Sequence, residues 1–202
     1  MARLLSNDYG KPPVLVTHRL SLGLFGWVSA PANKELTIPR HYPIIALAVL
    51  SLAAVGQNFW YWTQLPDRVA THFGINGQPD SWMYRTSATL LMLGVQLGLP
   101  SLLVGVGRLI SIMPASLINI PNREYWFAAE RRELSLAFMQ HFLVVVGITT
   151  SLFMMAINHL TFVANTRGGS LNLQTFGIVL VLYLIGIVML ISALWRRFRI
   201  TK

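Results

Sequence analysis

Long stretches of this chain contain no charged residue at all. None occurs between Arg40 and Asp67, between Arg85 and Arg108, between Glu133 and Arg167, or between Arg167 and Arg196, and each window holds at least 22 residues. A helix needs roughly 20 apolar residues to cross a hydrocarbon layer about 30 Å thick, because the interior offers no partner to a charge or an open backbone group. Four windows therefore predict four transmembrane helices, over about 42–62, 87–108, 134–162 and 173–195. The fold class is all-α, with residues 42–202 as one four-helix membrane domain.

Residues 1–41 read differently. The stretch VLVTHRLSLGLFGWVSA is apolar but broken by His18 and Arg19, and is too short and too charged to span. It either lies on the membrane surface or packs beneath the bundle. Pro31, Pro39 and Pro43 punctuate the approach to the first span. That span ends in Trp60, Tyr61 and Trp62, aromatics that favour the headgroup level.

Composition agrees with this division. Only 11% of residues are charged, against about 25% in a soluble domain. The net charge is +9, but the basic residues flank apolar segments rather than clustering on a soluble face, which argues against nucleic-acid binding. Thirteen of the sixteen Lys and Arg fall in the N-terminal tail, the loop joining the second and third spans, or the C-terminal tail RRFRITK. Only Arg68, Arg85 and Arg167 lie on the other side. The positive-inside rule then places both termini in the cytoplasm and the loop between the first two spans outside. The chain has no cysteine, so disulfides, thiolate metal sites and cysteine nucleophiles are excluded.

The outer loop, LPDRVATHFGINGQPDSWMYR, is the most turn-rich segment. Asn76-Gly77 predicts a small hairpin whose two central residues take positive φ. Two strands alone are marginal in water, so the hairpin is expected to lean on the helix ends through Phe73, Ile75 and Trp82. Asp67, His72, Asp80 and Trp82 are its candidate binding residues. Asp67, His72 and Asp80, joined by His159 from the third span, have the right chemistry for a divalent metal but not the tight helical spacing of a metalloprotease. The simpler reading makes the aspartates turn caps and bonds His72 to a backbone carbonyl.

On the other face, INIPNREYWFAAERREL predicts Asn122 as an N-cap and a surface helix over 123–133 running into the third span. Asn122, Arg123, Tyr125 and Trp126 are candidate partner or ligand contacts there, and the aromatics and arginines also suit headgroup anchoring. Within the spans, Gln140, His141, Asn158 and His159 are the conspicuous polar residues. Gly94, Gly98, Gly105 and Gly107 predict close helix approach along the second span.

The run LPDRVATHFGINGQPDSW resembles a bacterial membrane-domain family, domain of unknown function 1648. Leu65, Pro66, Asp67, Thr71, His72, Phe73, Gly77, Pro79, Asp80 and Trp82 carry the likeness, and NIPNREYWFAAERRE is similar to a motif that follows the second span in such proteins. Ala70 departs from the proline that many relatives have. The resemblance implies a small multi-helix protein of the bacterial cytoplasmic (inner) membrane. Some members are joined to the SdpI-like immunity and signalling proteins.

No paired intramembrane carboxylates, GxSxG or HExxH occur, so no catalytic residue is assigned and no cofactor is expected. The expected function is a non-catalytic membrane protein that meets the lipid bilayer and binds a partner, either another membrane protein or a secreted peptide. The alternative is a small transporter or a metal-dependent membrane enzyme using the His/Asp loop.

Overall fold

The structure, a computed structural model, describes residues 42–200. The readings of residues 1–41 lie outside the described residues. Among the described residues four helices are long and apolar enough to cross a membrane: α1 (Tyr42–Trp62), α2 (Arg85–Ile112), α4 (Arg132–Val163, prolonged by a π turn over Ala164–Gly168) and α5 (Leu173–Phe198). Between α1 and α2 lies an antiparallel hairpin of β1 (Arg68–Phe73) and β2 (Pro79–Tyr84). Between α2 and α4 lie a 3-10 turn (Ala115–Leu117) and the single-turn helix α3 (Arg123–Trp126).

The α4 helix is central and packs against α1, α2 and α5. Large apolar residues on α5, such as Leu182, Ile185 and Val188, point outward, as expected of a helix whose solvent is lipid. The bundle is tight where α2 crosses α4. Pro100 is fully buried, and a Cβ on Gly147 would lie 3.7 Å from it. Of the four glycines expected to bring α2 close to a neighbour, Gly107 alone does so, facing Gln140 and Leu143. Gly94, Gly98 and Gly105 have nothing within 4 Å of an added Cβ.

Helix ends differ from the sequence reading for local reasons. The first span has the predicted bounds. The second runs on to Ile112, where Met113 turns extended ahead of Pro114, since a residue before proline is driven out of the α region. The third continues past 162 because Asn165 and Thr166 bond back to the carbonyls of Thr161 and Phe162 at 2.9 Å. At 1.5 Å per residue its 37 residues extend about 55 Å, well beyond a hydrocarbon core. The excess carries α4 into the loops at both ends.

The predicted surface helix over 123–133 is not continuous. Trp126 and Phe127 are both buried, and neighbours in sequence cannot share one helix face. The chain leaves the helix after one turn and re-enters at Arg132, with Ser135 Oγ donating to the Trp126 carbonyl at 2.8 Å. Asn122 is not a side-chain cap. It takes φ 53° and its amide donates to the Phe198 carbonyl at 3.0 Å instead. Trp126 is likewise not a headgroup residue: its indole N–H donates to the same carbonyl at 2.9 Å. Together with Ile118, Phe127, Leu136 and Phe198 it forms the main apolar cluster of this end, and Arg197 lies over its ring.

Candidate functional site

The hairpin is positioned from both sides. At its base Arg85 pairs with Asp67 at 3.4 Å, donates to the Leu65 carbonyl at 3.0 Å and lies over the Trp62 ring. At its tip the loop 74–78 closes with Gly77 N–H donating to Gly74 and Gly74 N–H donating to Gln78, both at 2.8 Å. Only Gly77 of the Asn-Gly pair takes positive φ; Asn76 instead accepts the Gln78 N–H through its side chain. The turn-capping role expected of the aspartates belongs to Asn76.

Contact with the bundle also differs from expectation. Ile75 and Trp82 are exposed, and Phe73 is only partly covered. Val69, Ala70 and Gly77 are buried. Asn165, at the top of α4, receives the Ala70 N–H at 2.7 Å and donates to the Ala70 carbonyl at 3.0 Å. Its side-chain amide therefore acts as one residue of a third strand. A proline at position 70 would have no N–H for this bond. Leu171 N–H adds a second tie, to the Gly77 carbonyl at 2.8 Å.

This docking fixes which edge of the hairpin is free. In an antiparallel pair, residues alternate between bonding each other and pointing their backbone groups outward. Ala70 points outward to Asn165 and is paired with Trp82. Trp82 must then point its N–H and C=O out of the opposite edge. Among the described residues no backbone hydrogen bond reaches that edge. A bulge at residues 70–73 brings His72 to Asp80, and the two form an exposed hydrogen-bonded couple.

Asp67, His72, Asp80 and His159, the four residues with metal-ligand chemistry, are dispersed. Asp67 is on Arg85, His72 on Asp80, and His159 Nδ1 lies 2.7 Å from the Tyr61 hydroxyl. Among the described residues no three His, Asp or Glu side chains are grouped as metal ligands.

Beneath the hairpin runs a polar network that the sequence reading largely missed. Asn58 on α1 bonds Gln96 on α2 and Asn158 on α4, the latter at 3.2 Å. Gln57 accepts from Gln96 at 3.2 Å and donates to the Met155 carbonyl at 3.0 Å and the Tyr61 hydroxyl at 3.3 Å. Asn58, Gln96 and Asn158 are buried. The signal was present: uncharged amides inside a span are costly unless partnered. Charge counting passes over them, and of these four amides Asn158 alone stands out in the sequence.

At the opposite end of the bundle, Arg123 donates to the Ser116 carbonyl at 3.0 Å and Arg131 lies over the Tyr125 ring. Asn122, Arg123 and Tyr125 line an open cavity, whereas Trp126 is withdrawn into the apolar cluster.

Four apolar helices and an internally paired amide network define a multi-pass membrane protein. Residues 46–97, spanning most of α1, the hairpin and the first half of α2, match the family described as domain of unknown function (DUF1648). No curated protein and no solved structure matches the chain.

Proposed function

We propose that this chain is a non-catalytic receptor-like membrane protein that binds an extended peptide segment along the free edge of β2. The observation that carries the proposal is the outward backbone of Trp82 on a hairpin whose other edge is occupied by Asn165. An open strand edge is a template for another strand. Here the template is held rigid, which lowers the ordering cost of binding. Trp82, Tyr84 and Ile75 are exposed beside it and supply apolar contact. The hydrogen-bonded His72 and Asp80 supply polar contact.

The charge distribution supports an outward-facing hairpin. Arg108, Arg123, Arg131, Arg132, Arg196, Arg197 and Arg199 lie toward the other end, against Arg68, Arg85 and Arg167 here. Both termini are then cytoplasmic, the membrane is the bacterial cytoplasmic membrane, and the segment comes from a secreted peptide or from the outer part of another membrane protein. An immunity or accessory-subunit role fits either partner.

The test is purification from native membranes in mild detergent, with mass spectrometry of what accompanies the chain. A stoichiometric partner should be retained by the wild type and lost by Trp82→Pro, which removes the outward N–H without breaking a ladder bond. Asn165 and the β1–β2 ladder should remain protected in that variant. A partner that accompanies Trp82→Pro undiminished would rule out strand addition at this edge.

A further inference from the structure

The cavity between the end of α2 and the start of α4 has a volume of about 400 Å³, within the usual range for a small-molecule site. Its lining divides by chemistry. Ile118, Ile120 and Ile200 form an apolar part; Asn119, Arg123 and Glu124 form a polar one. Arg123 uses one guanidinium nitrogen on the Ser116 carbonyl. Among the described residues, its other nitrogens and the side chains of Asn119 and Glu124 have no hydrogen-bond or ion-pair partner. The cavity thus presents one cation, one carboxylate and an amide beside an aliphatic wall.

Its position narrows the ligand. The surrounding segment leaves one span at Ile112 and enters the next at Arg132, so the cavity opens at the boundary between hydrocarbon and water. Tyr125, exposed beside it with Arg131 over its ring, is of the kind found at headgroup depth. A soluble metabolite would leave Ile200, the most exposed of the three isoleucines, without an apolar contact. A phospholipid would fill both parts, with its phosphate on Arg123 and its glycerol and first methylenes on the isoleucines. The carboxylate decides among headgroups. Glu124 repels a purely anionic one and accepts hydrogen bonds from a primary ammonium, whereas a choline has no N–H to give.

We infer that this cavity is a binding site for one zwitterionic phospholipid with an ethanolamine headgroup, its phosphate held by Arg123 and its ammonium by Glu124. The inference rests on membrane insertion alone and not on peptide binding at the hairpin.

Native mass spectrometry of the full chain, delipidated in detergent and titrated with phosphatidylethanolamine, phosphatidylglycerol or phosphatidylcholine, tests it. One phosphatidylethanolamine should bind per chain in preference to the other two. Arg123→Gln should weaken it by about tenfold, the effect of one charge-assisted hydrogen bond. Glu124→Gln should abolish the preference for ethanolamine over choline while leaving phosphate-dependent binding. Arg123 also holds the Ser116 loop, so the Glu124 variant, at an exposed and unpaired side chain, is the decisive one. Equal binding of the three lipids by the wild type, or an unchanged ethanolamine preference in Glu124→Gln, would overturn the assignment. So would glycerophosphoethanolamine binding as tightly as the intact lipid, since the ligand would then be a soluble phosphate.

Discussion

Asn165 does for the hairpin what a third strand would do. It satisfies both backbone groups of Ala70, a residue only 4% exposed. An unpaired buried group costs about 1–3 kcal/mol, so Asn165→Ala should loosen hairpin docking by about 2 kcal/mol or more. Asn165→Asp should not rescue it, because a carboxylate accepts the Ala70 N–H but has nothing to donate to the Ala70 carbonyl. Hydrogen exchange at the Ala70 amide reads both variants directly, and unchanged protection would show that the clamp is dispensable. Gly77 is the matching residue at the tip. It sits at φ 75°, and an added Cβ would lie 2.7 Å from the Leu171 carbonyl oxygen. Gly77→Ala therefore combines a left-handed cost of about 1–2 kcal/mol with a backbone collision. Proteolysis at residues 74–78 should rise while the helices stay folded. At the other end, Trp126→Phe keeps a ring in the apolar cluster but loses the bond to Phe198, costing about 1 kcal/mol. Trp126→Ala adds a cavity and should cost about 3–5 kcal/mol in denaturation.

Helices meet in lipid without a hydrophobic drive toward one another, so packing and hydrogen bonds set the register between elements. Here α1, α2 and α4 are tied by Gln57, Asn58, Gln96 and Asn158. Each such bond is worth about 0.6 kcal/mol on average and at most about 1.7 kcal/mol. Asn58→Ala breaks two interhelical bonds and should destabilise the bundle by about 1–2 kcal/mol. Asn58→Leu with Gln96→Leu should cost less than the sum of the single changes, because neither partner is then left unsatisfied. Additive costs in a double-mutant cycle would mean the side chains do not act as a network. The α2–α4 crossing gives a prediction of opposite sign. A methyl on Gly147 meets Pro100 and Leu47 at ordinary contact distance. Gly147→Ala should therefore stabilise by up to about 1 kcal/mol through helix propensity, whereas Gly147→Leu should force the helices apart.

The orientation of the whole molecule is testable because the chain contains no cysteine. With the hairpin outside, a cysteine replacing exposed Ser81 should react with an impermeant maleimide in intact cells, and one replacing Glu130 only after lysis. The reverse pattern would invert the proposed topology and remove secreted peptides from consideration. The four spans were legible from the sequence because hydrocarbon gives a charge no partner, so a run without charge is a physical requirement rather than a tendency. The hairpin was legible in outline for a similar local reason, since its turn residues lie next to one another. What faced what was not. The sequence reading left Trp126 at the surface and turned Ile75 and Trp82 toward the helices, because apolar character alone does not say which neighbour a side chain will meet. Asn165 finds Ala70 across 95 positions, and Asn158 finds Asn58 across 100. The sequence alone determined the four apolar spans and the place of the outer turn. Only the tertiary structure decided which polar groups satisfy one another, which strand edge stays open and which arginine lines a cavity, because each depends on residues brought together from far apart in the chain.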